Sequence, residues 1–208
     1  MIVTRLIPDG KYKIHIELDG EKGFSLYKKE IRRLQIEEEM ELPEKIVKQI
    51  YEKILYPRAK EKALSLLQYR NRTKLEMKQK LEQNGYPKEI IDRVDDFLQR
   101  YGFLDDEQYT KSYIELYAKK KSRLQMQQDL RRKGISKELF SEIWEEQPEE
   151  SEEESLKKLM EKRFRNGNIP TKETFQKHYA FFARRGYPSS MIVKLLNEYQ
   201  LSDECEDI

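Results

Sequence analysis

Cysteine is almost missing from this sequence, with Cys205, among the last four residues, standing alone in 208. A disulfide framework is excluded, and a chain so poor in thiols suits a reducing cytoplasm. Histidine is nearly as scarce, His15 and His178 being the two, so no histidine/cysteine zinc cluster can be assembled. Neither a Gly-x-Gly-x-x-Gly stretch nor a Gly-Lys-Ser/Thr stretch occurs, which removes the usual cradles for nucleotide phosphate. No run approaches the ~18 apolar residues of a membrane span. The N-terminus reaches Pro8 and Asp9 before a secretory apolar region has room to form. The expectation is a cytoplasmic protein that is not an enzyme, with no cofactor, no metal and no membrane attachment.

Charge is what the chain has in abundance. Asp, Glu, Lys and Arg make up 38% of it, against roughly 25% in an ordinary soluble domain. The 41 bases nearly cancel the 39 acids, leaving +2. Leu, Ile, Val and Phe supply 51 of the 208 residues, above the ~20% share below which highly charged chains stay unfolded. Several small cores under a charged surface fit this balance.

Residues 1–42 read as β. Tyr12, Ile14, Ile16 and Leu18 alternate with Lys13, His15, Glu17 and Asp19, the period of a half-buried strand. Asp9-Gly10 and Asp19-Gly20 bracket the strand as hairpin turns, and His15 falls on its polar face as a surface residue. From Pro43 the period becomes helical. Ile46, Val47, Ile50, Tyr51, Ile54 and Leu55 form a stripe that predicts a connecting helix over 43–57, stopped by Pro57.

Beyond Arg58 the pattern repeats. Thr73 is followed by Leu75, Met77, Leu81 and Gly85, and Ser122 by Leu124, Met126, Leu130 and Gly134, at the same spacings. Thr174, His178, Phe182 and Gly186 form a third, weaker copy. Each Ser/Thr is an N-cap, with Glu76 and Gln125 completing capping boxes. Lys177 stands in that place in the third copy, so its box is lost. The glycines supply the left-handed residue that closes each helix. Pro87 and Pro188 suit the first turn of the next helix. With a helix before and after each frame, the chain predicts three units of three helices, over 58–104, 105–150 and 151–208. The fold class is therefore mainly α, tandem three-helix repeats preceded by a small N-terminal β segment.

The repeat boundaries carry a recognisable string. Arg58, Ala59, Ala63, Leu64, Leu67, Arg70 and Arg72 lead to Gly102-Phe103-Leu104-Asp105-Asp106 with Tyr109 and Tyr113, then to Lys121, Ser122 and Leu130 to Ile135. In this order they resemble the RecX regulatory protein family. The resemblance covers residues 58–145; the third unit, with Lys177 and the insertion Asn166 to Pro170, matches less sharply. The resemblance implies a monomeric helical-repeat protein that binds the RecA recombinase filament and restrains it, in DNA repair, recombination and the SOS response. Affinity for single- or double-stranded DNA goes with it.

The charges are unevenly placed. Between Tyr117 and Lys133 lie Lys119, Lys120, Lys121, Arg123, Arg131, Arg132 and Lys133 against Asp129 alone. This stretch reads as a groove for phosphate or an acidic partner, or as cations complementing helix ends. Arg70, Arg72 and Lys74 occupy the equivalent turn of the first unit, and Arg184 and Arg185 precede Gly186 in the third. Tyr109, Tyr113 and Tyr117 at helical spacing read as core, with base stacking as the alternative. Asp105 with Gln108 reads as a capping box rather than part of a metal cluster. The acidic run Glu145 to Glu154 reads as a solvated linker, with a phosphate mimic resting on the basic face as the alternative. Three functions compete: a modulator of the recombinase filament, a helical DNA-binding protein needing no protein partner, and a metal-dependent enzyme of nucleic acid. The first is preferred.

Overall fold

A computed structural model of the chain describes residues 1–146, 150–165 and 170–204, and the side chains of all of these except 150, 151 and 200–204. Three antiparallel strands, β1 (Val3–Asp9), β2 (Lys13–Leu18) and β3 (Glu21–Tyr27), form a sheet in the order β1-β2-β3. Asp19 and Gly20 turn β2 into β3 with φ of 52° and 82°, the two positive values of a type I′ hairpin. Ile16, Phe24 and Leu26 are fully buried on the sheet's inner face.

Two features depart from the sequence reading. Residues 1–42 are not β throughout, because Lys28–Leu34 is helix α1. Its start is fixed by the Glu30 carboxylate, which accepts the Tyr27 N–H at 2.9 Å, and its end by Gln35 in the left-handed region at φ 51°. Nor does Pro57 end the next helix. Helix α2 (Glu44–Ile50) passes through a π-helical turn, Tyr51–Leu55, straight into α3 (Tyr56–Tyr69). A proline ring collides with the carbonyl four residues back and supplies no N–H. The wider π turn, in which Tyr56 N–H reaches the Tyr51 carbonyl, makes the room.

The repeat frame is built as the sequence reads. Helices α3, α4 (Lys74–Gln83) and α5 (Lys88–Arg100) form the first repeat. The second holds α6 (Asp106–Tyr117), α7 (Arg123–Arg132) and α8 (Lys137–Glu145), and the third α9 (Glu150–Phe164), α10 (Phe175–Ala183) and α11 (Ser189–Glu204). Thr73 and Ser122 cap α4 and α7, their hydroxyls accepting the N–H of Glu76 and Gln125, both at 3.2 Å. The middle helix of each repeat closes in one way. The N–H groups of Gly85, Gly134 and Gly186 reach the carbonyls of Glu82, Arg131 and Ala183, and those of Tyr86, Ile135 and Tyr187 reach Leu81, Leu130 and Phe182. These paired bonds, with buried apolar side chains at both ends of the longer one, make a Schellman closure three times over.

The chain divides into two compact units, Met1–Asp105 and Asp106–Ile208. In the first, the sheet and the first repeat share one core running from Val3 to Leu104. In the second, Ile114, Met126, Leu130, Phe140 and Ile143 form one cluster, and Leu156, Met160, Phe182, Ile192 and Leu196 form another. His15 is half-buried rather than on the surface, its Nδ1 3.2 Å from the Ser25 hydroxyl.

In the third repeat the capping box is lost, as Lys177 implied, but the expected N-cap at Thr174 is lost with it. Thr174 gives α10 no side-chain cap and exchanges bonds with Thr171 instead. His178, where the other repeats have Met77 and Met126, is fully buried, accepts a bond from Arg163 Nε at 3.0 Å and lies edge-on to Phe164. Burial, then the charges of Arg163 and Lys177, hold its pKa below the ordinary 6.5. A base whose folded pKa is depressed binds fewer protons when folded, so stability falls as pH drops below 6.5. We expect the third repeat to lose protection from hydrogen exchange between pH 7 and pH 5, and His178→Met to flatten that dependence. An unchanged profile in His178→Met would show that another group governs it.

Candidate functional site

The second unit gathers most of the basic residues singled out from sequence. Helix α6 ends at Tyr117, and the turn before the Ser122 cap presents Lys119, Lys120 and Lys121. About two turns along α7 lies Asp129. Lys121 Nζ bonds to Asp129 at 2.7 Å and to the Tyr113 hydroxyl at 2.9 Å, while Tyr113 donates to Asp129 at 2.9 Å. Burial alone would raise the pKa of Asp129, but the bonds from Lys121 and Tyr113 outweigh it and hold the carboxyl below its usual value. Arg132 also pairs with Asp129. One acid thus fixes two of the bases in direction without burying them.

A groove of about 440 Å³ runs along this face, lined by Lys120, Lys121, Gln125, Gln128, Arg132 and, from the third repeat, Arg185 and Tyr187. Arg185 stacks on Phe181 at 3.5 Å and donates to its carbonyl, which holds the guanidinium in place. The repeats meet here because Ser122 Oγ donates to the Arg185 carbonyl and Gly186 lies against Leu124, where a Cβ would approach to 2.5 Å. Cations from two repeats therefore share one floor.

The remaining candidates separate. Arg131 and Arg184 are exposed, and Arg131 lines a neighbouring hollow with Leu124 and Gln127. Arg123 is exposed and 6.0 Å from the Trp144 ring, and Lys133 is 5.5 Å from Tyr109. In the first unit Arg70 is loosely paired with Glu76 at 3.9 Å and Lys74 is half-buried. Arg72, expected on the surface, is buried at 8% exposure with its Nε unpartnered. Tyr109, Tyr113 and Tyr117 pack half-buried against the second core, and Lys121 covers the Tyr117 ring at 4.4 Å. They are core on one side and cation platforms on the other.

The acidic run corrects the linker reading in part. Residues 147–149 lie outside the described residues, but from Glu150 the run is the start of α9. Glu152 is 8% exposed and its carboxylate accepts the Arg123 N–H at 2.8 Å, supplying an anion to the N-terminus of α7. Glu154 pairs with Lys119 at 3.1 Å. Burial pushes the Glu152 carboxyl up, against the Arg123 bond and charge. Periodicity missed this contact, since nothing local to Glu152 marks which helix it will cap.

Helix α6 begins at Asp106, directly after Asp105, and no group of three potential ligands able to hold a metal occurs among the described residues. No helix among them is long and apolar enough to cross a membrane. The insertion's residues 166–169 lie outside the described residues.

Family models for the first, second and third three-helix domains of RecX match residues 59–98, 105–142 and 150–196. The regulatory protein RecX of Amycolatopsis mediterranei is 31% identical over 146 residues, covering 69% of this chain and 83% of its own. The protein of the same name from Clostridium beijerinckii is 24% identical over 93% of this chain and 92% of its own. A crystal structure of regulatory protein RecX aligns over 95% of this chain and 98% of its own, with TM-score 0.65 and 24% identity, a likeness of fold.

Proposed function

The chain belongs to the RecX family of regulatory proteins, and from that premise we propose that it binds the RecA recombinase filament, and DNA with it, and inhibits the filament's recombinase and ATPase activity. The observation that carries this reading is the groove in which Lys120, Lys121, Arg132 and Arg185 converge from two repeats. A repeating acidic or phosphate surface is what such a row of fixed cations fits. The protein acts as a cytoplasmic monomer and as a binder rather than an enzyme. Each exposed ion pair is worth only ~0.2–1 kcal/mol, so contacts distributed over successive repeats add through effective concentration.

The test is recombinase ATP hydrolysis and strand exchange against added protein at two salt concentrations. Reversing Lys120 and Arg132 together to glutamate should weaken inhibition substantially with circular dichroism unchanged. Equal inhibition by the variant would remove this face from the docking surface. Plain DNA binding without a protein partner is the second reading, favoured by the same cations. It requires affinity to fall steeply with salt and inhibition to vanish once DNA is saturated. We further expect the purified protein to hydrolyse neither DNA, RNA nor nucleoside triphosphates, with or without Mg²⁺ or Mn²⁺. Cleavage abolished by Asp105→Asn or Asp106→Asn would reveal a metal site at the start of α6.

A further inference from the structure

One end of the N-terminal sheet carries an arrangement that the groove of the second unit does not explain. Tyr12, in the turn between β1 and β2, is 63% exposed. Its carbonyl accepts the Lys28 N–H at 2.9 Å, which joins that turn to the start of α1. Tyr27 lies beside it with Arg58 stacked on its ring at 4.6 Å and Lys13 at 5.7 Å. Tyr12, Tyr27, Lys28, Lys29 and Arg32 line a cleft of about 470 Å³, and Lys11 stands 5.3 Å from the Tyr12 ring.

The lining of this cleft is one-sided in charge, for a structural reason. Glu30 is the one acid within Tyr27–Leu34, and it is turned inward, paired with Arg58 and bonded to the Tyr27 N–H. Lys28, Lys29, Arg32 and Arg33 are exposed and, among the described residues, form no ion pair. Asp9 shares this end of the sheet, opposite Lys13, with its carboxylate accepting the Ser25 hydroxyl at 3.2 Å and outside the lining of the cleft. Asp19 and Glu21 sit at the β2–β3 turn, the other end of a six-residue strand, roughly 20 Å away at ~3.3 Å per residue. An exposed Tyr12 ring and a half-buried Tyr27 ring beside the unpaired cations Lys28, Lys29 and Arg32 make a surface for a polyanion that carries planar groups.

We infer that this end of the sheet is a binding site for single-stranded DNA, separate from the basic groove of the second unit. An exposed ring stacks only on a base freed from its duplex, and it does so with any sequence. The lining consists of two tyrosines and three cations, which act on base and phosphate and need no 2′-hydroxyl, so a DNA strand satisfies the site. The inference stands on the sheet's own residues and not on the recombinase reading.

The test uses the full chain and a labelled oligothymidylate, read by fluorescence anisotropy at several salt concentrations. Tyr12→Ala should lower affinity about 10-fold, as expected for one lost stacking contact, and Tyr12→Trp should restore it. Lys29→Glu with Arg32→Glu should weaken binding and make the salt dependence shallower. Duplex affinity should hardly respond to Tyr12→Ala. A 5-iododeoxyuridine oligonucleotide irradiated with the protein should crosslink to the peptide containing Tyr12. Crosslinks confined to residues 117–133, or Tyr12→Ala binding the strand as well as the parent does, would overturn the site. Tighter binding of oligouridylate would overturn the choice of DNA. Loss of filament inhibition in Tyr12→Ala with strand affinity intact would assign the surface to a protein partner instead.

Discussion

Leu130→Ala should destabilise the protein by about 2–5 kcal/mol, through lost burial and the cavity left behind. Leu130 is fully buried at the centre of the second repeat's cluster, and the longer bond of the closure at Gly134 ends on its carbonyl. That cluster is distinct from the cores on either side of it in sequence. Hydrogen exchange should therefore show protection lost first across residues 106–146 and retained through the unit that ends at Asp105. Uniform loss over all residues, the sheet included, would mean that the cores melt as one body.

Gly85→Ala should cost about 2–5 kcal/mol, while Gly102→Ala costs only ~1–2 kcal/mol. Both glycines have positive φ, 79° and 69°, and a side chain in that region costs roughly 1–2 kcal/mol. Their surroundings differ. A Cβ at Gly102 would meet nothing within 4 Å, whereas at Gly85 it would come within 2.3 Å of the Ser25 hydroxyl and 2.8 Å of its Cβ. Overpacking of that kind adds ~1–3 kcal/mol. The Gly85 carbonyl also accepts the Ser25 N–H at 3.1 Å, so the clash falls where β3 is fastened to the first repeat. Urea unfolding of the two variants measures the difference; equal costs would show that Ser25 yields freely.

Where the chain's chemistry is local, the sequence was legible. Thr73 with Glu76 and Ser122 with Gln125 announce caps because partners three residues apart meet in any helix start. The glycines announce Schellman closures because few other residues take positive φ cheaply. The small sheet ahead of the helical repeats, and the family itself, followed from such signals. What depends on tertiary pairing was not legible. Arg72 looks like Arg70 in sequence, yet one is buried and the other exposed. Glu152 looks like its acidic neighbours, yet it turns in to cap α7. Of the cations proposed for the site, Lys120, Lys121 and Arg132 could be gathered from their spacing. That Arg185 would join them follows only from Ser122 reaching across to the third repeat.

The π turn before Pro57 makes chain length, rather than residue identity, the quantity this region must preserve. An α-helix advances ~100° per residue at 3.6 residues per turn. The π turn already holds one residue beyond the α count, so a further residue inserted in Tyr51–Leu55 would swing α2 by about that angle relative to α3, whereas deleting one would regularise the turn and keep its phase. On insertion Val47 and Ile50, buried in the core shared with the sheet, would face away from it, and on deletion the ring of Pro57 would again meet the carbonyl behind it. Substitutions that keep the apolar face are tolerable here. Insertions and deletions are not, so the segment between Pro43 and Pro57 behaves as a spacer of fixed count, setting the rotational phase at which the sheet is presented to the first repeat.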